Sequence, residues 1–285
     1  MNIKIFVSHR IDMYSDTIKN DMYTPILCGA VFNKDRIDFD RDDIGDNISF
    51  KRMSFCELTV MYWIWKNIEA DYIGLCHYRR YLAFNDNLTN FSRGGGEHSN
   101  GCIEVNSIND LYDENYGINR KRIEFFLEQN DVLINESIDL KKYNLNNLSA
   151  IEKAKDYHNI NDFNLAIRIL LEKYPKFKKY TEQYINGTNS YLYNCFVMKK
   201  NIFNNFCAWL FDILFELEKR IDISKYSIQK SRTCGTIGER LLGIYILYLK
   251  DNFVKVKELP LIFIRDTVKK EEIQPAFENK NSNYA

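Results

Sequence analysis

Five residues, Tyr72-Ile73-Gly74-Leu75-Cys76, run without a polar break straight into His77-Tyr78-Arg79-Arg80-Tyr81. A short continuous apolar run reads as a buried strand rather than a half-exposed one. Two arginines, a histidine and a tyrosine at its C-terminal end stand where open α/β sheets bind ligands. The chain also begins this way: residues 3–8 form an apolar strand that stops at Ser8-His9-Arg10, as a nucleotide-binding α/β domain usually does.

The rest of the chain alternates in kind. A strand is expected at 25–32, followed by the loop Asp40-Arg41-Asp42-Asp43-Ile44-Gly45-Asp46-Asn47-Ile48-Ser49, dense in Asp with Gly and Asn. Residues 54–67 take helical spacing, with Phe55, Leu58, Met61, Tyr62 and Trp65 on one broad face. Ser54 is the expected N-cap, with Glu57 three residues on. Residues 84–120 are polar and carry Gly94-Gly95-Gly96, which reads as a surface excursion or lid. A helix over 119–129 leads to the strand Asp131-Val132-Leu133-Ile134, and 149–185 is an amphipathic helical insertion interrupted at Tyr174-Pro175. The strand Tyr191 to Met198 is followed by a long apolar helix at 201–219 and another from about Ile237 to Tyr248. A strand at 253–257 and the extended piece 260–264 close the fold. Without an internal repeat, this is one α/β domain over 1–270 with helical insertions, and a polar tail over 271–285.

Composition narrows the function classes. Hydrophobic residues are 45% and charged residues 27%, which suits a globular chain. The formal net charge is zero, so no overall field draws the protein to nucleic acid or to an anionic membrane. Seven cysteines, odd in number and without a CxxC pair, mostly sit in apolar runs; reduced core thiols of a cytoplasmic protein explain them best. The N-terminal segment is too short for a signal peptide and no apolar run spans a bilayer, so at most a peripheral association with the inner face of the membrane is expected. There is no P-loop, no GxSxG elbow and no GxGxxG.

The candidate chemistry gathers in a few places. Guanidinium forks match phosphate oxygens two at a time, so Arg79 and Arg80 point to a nucleotide diphosphate; in a strand they face opposite ways, leaving one for structure. The alternative is a pair of ion-paired arginines at a strand end. Asp42, Asp43 and Asp46, with Asn47 beside them, either contact a base, a ribose or a metal, or form a solvated turn. In Arg232-Thr233-Cys234-Gly235-Thr236-Ile237-Gly238-Glu239-Arg240, glycine-permitted backbone opens a helix and puts Glu239 in its first turn. There it is either a base for an acceptor hydroxyl or a partner of the helix dipole. His9 and His158 are lone histidines, more often structural than catalytic.

Several stretches resemble a bacterial family encoded in capsule and O-antigen clusters, long catalogued as a domain of unknown function, some of whose members are galactofuranosyltransferases. They are residues 42–49, Cys56-Glu57-Leu58-Thr59, Tyr62-Trp63-Ile64-Trp65-Lys66-Asn67, residues 71–81, Tyr157-His158, Tyr193-Asn194-Cys195-Phe196-Val197-Met198 and Gly238-Glu239-Arg240-Leu241. The order of elements is similar to the GT-A (Rossmann-like) fold of nucleotide-sugar transferases, a mixed central sheet flanked by helices. The resemblance implies transfer of a hexose, galactofuranose or galactose, from a UDP-sugar to a lipid-linked or oligosaccharide acceptor, with inversion by a single displacement. It implies a donor site at His9, Arg10, Asp42, Asp43, Asp46, Asn47, His77 and Tyr78. The acceptor would lie among His158, Asp162, Tyr193, Asn194 and Arg232, with Glu239 as base. His77-Tyr78-Arg79-Arg80 stands where that fold carries a metal-binding Asp-x-Asp. The expectation is therefore that Arg79 or Arg80 offsets the diphosphate charge, the alternative being Mn²⁺ or Mg²⁺ held by Asp42, Asp43 or Asp46. The rival functions are a glycan-modifying phosphotransferase and a non-catalytic glycan-binding or assembly protein.

Overall fold

The computed structural model describes residues 1–85, 87–88, 93–95, 99–157 and 159–266. Strands β1 (Ile3–Arg10), β2 (Tyr23–Cys28), β3 (Asp40–Arg41) and β4 (Tyr72–His77) come first, with helices α1 (Arg52–Phe55) and α2 (Leu58–Asn67) between the last two. Next are β5 (Arg80–Leu82), β6 (Ile103–Val105), α3 (Arg120–Gln129), β7 (Val132–Asn135) and β8 (Ile138–Asp139). A helical insertion follows as α4 (Asn147–Lys153), α5 (Ile160–Lys173) and α6 (Lys178–Asn186). The chain then forms β9 (Asn189–Ser190), β10 (Phe196–Lys199), α7 (Lys200–Arg220), α8 (Ile228–Ser231), α9 (Thr233–Asp251), β11 (Val256–Leu259) and β12 (Leu261–Ile264).

The main sheet runs β11-β7-β10-β4-β1-β2-β3, with β5, β12 and β6 branching from β4. β1 pairs parallel with β2 and β4, β2 with β3, and β7 with β11; β10 alone on this path runs against both neighbours. This reversal sets the site. It brings the residues that precede β10 to the same edge as the C-terminal ends of β1, β4 and β7, where Phe196 lies opposite Leu75 and Ile134.

Both faces of the sheet are covered, which is why its strands read as continuous apolar runs. Phe6, Ile73, Leu75, Phe196, Met198, Val132 and Ile134 pack into one core with α2, α5, α7 and α9. Their alternating neighbours Ile5, Val7, Cys76, Val197 and Leu133 pack into a second core with α3, β6 and β12. At about 1.5–3 kcal/mol for each fully buried large side chain, this two-sided burial fixes strand register, since a one-residue slip would exchange the faces. All seven cysteines are free, and six of them are buried. Among the described residues, no helix is long and apolar enough to cross a membrane.

Four expectations change. The second strand ends at Cys28, because Gly29 takes a left-handed φ of 74° and starts a 3-10 turn over Ala30–Phe32. The helix expected over 54–67 breaks at Cys56, which has φ 50° and ψ −132°. Phe55, Leu58 and Met61 are all fully buried across that break, so the apolar spacing survives it and hides it. The strand expected from Tyr191 begins only at Phe196, since Tyr193 and Asn194 have φ 77° and 46°. The helix expected from Ile237 begins at Thr233. The polar excursion is also anchored, with β6 paired to β12. The 271–285 tail lies outside the described residues.

Candidate active site at the C-terminal edge of the sheet

β4 ends in a tight turn rather than continuing as a strand: His77 pairs with Arg80 across it, and Tyr78-Arg79 form the bend. The two arginines therefore do not project from opposite faces of one strand, as a continuous strand would require. Arg80 is buried and stacks over the Tyr193 ring at 4.3 Å and the Phe263 ring at 5.5 Å. Arg79 lies over Tyr78 at 5.6 Å and Phe263 at 5.2 Å. Arg36, by contrast, is locked internally, binding Asp38 and the carbonyls of Arg10 and Met13.

The edge is electropositive. Burial pulls Arg79 below the ordinary arginine value, and Arg80, Arg10 and Arg232 add to the effect by repulsion. Burial, then Arg80 and Arg79, push His77 well below the usual histidine range, so its ring is neutral. Several buried polar atoms here have no protein partner: Nδ1 of His77, Nε of Arg79, Oδ1 of Asn135 and Oδ1 of Asn194. They sit at the ends of β4, β7 and β10, and polar atoms left in this state call for a ligand or water.

Opposite the arginines lie two carboxylates. Glu239 is half-buried on α9 and accepts a hydrogen bond from the Tyr193 backbone N–H at 3.2 Å. Glu57, just before α2, accepts from Asn194 Nδ2 at 2.8 Å. Burial and the charge of Glu57 raise Glu239 to about 6, against the opposing effect of Arg240 and Arg80. The glycines of the Arg232–Leu242 segment make this meeting possible. They do not open a helix, since α9 starts at Thr233 and Glu239 lies in its second turn, outside the dipole's reach. Instead they face the α1–α2 junction: a Cβ on Gly235 would stand 3.1 Å from Cys56 Cβ and one on Gly238 2.7 Å from Leu58 Cδ1. Close contact at these two positions brings Cys56-Glu57 against α9, where Arg232 Nε donates to Cys56 Sγ at 3.2 Å.

Glu57 was missed by the sequence reading because it fits a capping box with Ser54. In the structure Ser54 lies inside the short helix α1, and no such box forms. The segment Cys56-Glu57-Leu58-Thr59 was the available signal.

The acidic loop takes a different role from the one considered. Asp42 is fully buried, and each of its oxygens accepts two hydrogen bonds: Oδ1 from Ala30 N–H (2.9 Å) and Ser49 Oγ (2.5 Å), Oδ2 from Gly29 N–H (2.8 Å) and Thr59 Oγ1 (2.6 Å). It has no lone pair left for a ribose or a metal. Asp43 is engaged by the Arg41 guanidinium at 2.8 Å, Asp46 accepts from the Tyr62 hydroxyl, and Asn47 bridges Gly45 O and Ser49 N–H. Among the described residues, no group of three or more His, Cys, Asp or Glu side chains is placed to hold a metal ion, and these aspartates do not fit one.

The other expected residues divide. Arg10 is exposed at the end of β1 and ion-paired with Asp12, which Arg52 also holds at 3.1 Å. His9 is fully buried, with Nδ1 at 2.7 Å from Ser15 Oγ, the ring against Phe39 and 6.1 Å from the Tyr78 ring, and Nε2 without a protein partner. Burial and Arg36 lower it to about 3. Asp162 is buried and accepts from Tyr226 and Thr233, both at 3.0 Å, which ties α5 to the start of α9 rather than to a pocket. Arg232, Tyr193 and Asn194 join the edge. His158 lies outside the described residues.

A family model described as a domain of unknown function, DUF4422, matches residues 4–251. Among solved structures, the apo form of a bifunctional glycosyltransferase, WbbM, matches with a TM-score of 0.86 and 34% identity, covering 98% of this chain and 48% of that one. The chain thus spans about half the length of that protein. No curated protein matches the chain.

Proposed function

The chain belongs to the DUF4422 family, and from that premise we propose that it is a glycosyltransferase of polysaccharide biosynthesis, with a GT-A-like fold, moving a hexose from a UDP-sugar to a glycan acceptor. The observation that carries the reading is the half-buried Arg79, whose buried Nε has no partner at the sheet edge where Arg80, Arg10 and Arg232 already repel it. An anion with several oxygens would satisfy the free Nε and offset the repulsion together, and a nucleotide diphosphate carries the charge to do so. The 34% identity to a bifunctional glycosyltransferase over nearly the whole chain supports the same class. UDP-galactose or UDP-galactofuranose is the donor we infer, and a lipid-linked or oligosaccharide glycan the acceptor.

In this reading the donor diphosphate lies over Tyr78, Arg79 and Arg80, and the acceptor hydroxyl enters beside Tyr193 and Glu239. The acceptor oxygen bonds to the anomeric carbon as its proton passes to Glu239. The bond from that carbon to the β-phosphate oxygen breaks, and its electron pair leaves on UDP. Arg79 and Arg80 offset the charge that develops there. A base near 6 is well matched to neutral pH, being mostly ionised yet still able to accept a proton.

A thermal-shift panel of UDP-sugars, with Mn²⁺ and with EDTA, tests the proposal. A ligand bound only by the native state raises the midpoint by mass action, by about 2.7 kcal/mol at one hundred times Kd. UDP-galactose or UDP-galactofuranose should raise it equally in Mn²⁺ and in EDTA. A shift that needs Mn²⁺ would transfer charge compensation to a metal, and no response to UDP or any UDP-sugar would overturn the reading.

A further inference from the structure

The short turn Tyr193-Asn194 does something unusual: its two residues each hold one member of the carboxylate pair. The Tyr193 N–H donates to Glu239, and the Asn194 side chain donates to Glu57. Both residues have positive φ, and so does Cys56, which breaks the helix immediately before Glu57. Of the five non-glycine residues with positive φ among those described, three therefore abut this pair. Backbone held in that region costs energy and persists where the surroundings impose it, most often at functional sites. Asn194 is 1% exposed, and its Oδ1, beside the pair, has no partner.

We propose that Glu57 is a positioning residue which, across the Tyr193-Asn194 turn, sets the orientation and proton affinity of the Glu239 base. The inference rests on the transferase reading for the identity of the reaction, but not for the coupling itself. Charge surrounds the pair from every side. Arg240 lies next to Glu239 on α9 and Arg232 just before it, Arg80 enters from β5, and Tyr193 from the turn before β10. The negative charge of Glu57 opposes ionisation of Glu239, while Arg240 and Arg80 favour it. Burial, then the charge of Glu57, holds Glu239 at about 6, above the ordinary glutamate value. An acceptor hydroxyl then meets a base that is strong for a carboxylate yet still ionised at neutral pH.

Glu57→Gln, Glu239→Gln, the double variant and Asn194→Ala test this in the full chain. The first readout is urea unfolding across pH 5 to 8, which needs no substrate. Because folded Glu239 holds its proton more tightly than the unfolded chain does, the stability of the wild type relative to Glu239→Gln, a difference from which His9 cancels, falls as pH rises through about 6. Glu57→Gln should move that inflection down by half a pH unit or more, Glu239→Gln should remove it, and the double variant should match Glu239→Gln. The second readout is UDP release from UDP-galactose in the presence of acceptor glycan. The acid limb of the rate should shift down with Glu57→Gln, while Glu239→Gln lowers the rate about a hundredfold at every pH. Asn194→Ala, which keeps both carboxylates, should shift the acid limb without abolishing turnover and covers the case in which Glu57→Gln fails to fold. An inflection and an acid limb unmoved by Glu57→Gln or by Asn194→Ala would overturn the proposal. So would a loss with Glu57→Gln as large as that with Glu239→Gln at every pH, because Glu57 would then be a reacting group. If no variant, wild type included, releases UDP while the unfolding curves still show the coupling, the transferase reading fails and the positioning of Glu239 by Glu57 stands.

Discussion

Replacing Asp42 by Ala separates two accounts of the acidic loop, one in which it serves a donor or metal and one in which it holds the fold. The carboxylate is fully buried and receives four hydrogen bonds, two from the backbone at Gly29 and Ala30 and two from the hydroxyls of Ser49 and Thr59. The hydroxyls can turn elsewhere; Thr59 Oγ1 already lies 3.1 Å from Cys56 O. The two backbone N–H groups cannot, and a hydrogen bond to a charged group contributes about 1.5–3 kcal/mol. The expected loss is therefore about 4 kcal/mol, or roughly 10 °C in Tm for a chain of this size. Urea and thermal unfolding measure it directly. Affinity for a UDP-sugar, measured well below the new midpoint, should change less than about threefold, since Asp42 faces the interior. A variant that loses less than about 1 kcal/mol but no longer binds UDP-sugar or responds to Mn²⁺ would refute this account.

Other substitutions probe the edge and its support. Arg79→Gln should lower UDP affinity about tenfold or more with no loss of stability, because it removes a guanidinium repelled by Arg80, Arg10 and Arg232; calorimetric titration with UDP checks the first part and unfolding the second. Gly235→Val should cost about 2 kcal/mol and most of the activity together, since its branches would push Cys56 and Glu57 off α9; unchanged turnover would show that the close approach is not needed. His9 titrates near 3 when folded against 6.5 when unfolded. Stability is thus lost as pH falls below 6.5, where the unfolded chain takes up a proton that the fold refuses. Relative to His9→Asn, the wild type should lose about 2 kcal/mol between pH 7 and pH 5 in parallel unfolding series.

The alternation of apolar strands and helices was legible in the sequence, and so was the delivery of arginines to a strand end. Both depend on residues adjacent in the chain: 72–76 are buried because they are apolar on both sides, and the polar run from His77 onward ends the strand wherever it is placed. The acidic loop was legible only as a loop. Its alternatives, a ligand site or a braced turn, differ in what surrounds Asp42, and its partners at Gly29, Ala30 and Thr59 come from elsewhere in the chain.

The amino-acid order by itself determined a two-sided α/β sheet and placed Arg79 and Arg80 at the C-terminal end of its central strand, since these follow from local hydrophobicity. Only the tertiary structure decided that Glu57 meets Glu239. The two lie far apart in the chain, and they are joined by a reversed β10, by strained residues at Cys56, Tyr193 and Asn194, and by glycines on α9 that admit the neighbouring backbone. A glycine reads the same in sequence whether it opens a turn or receives another helix. Which of these it does depends on the atoms packed against it, and those are fixed only when the whole chain has folded.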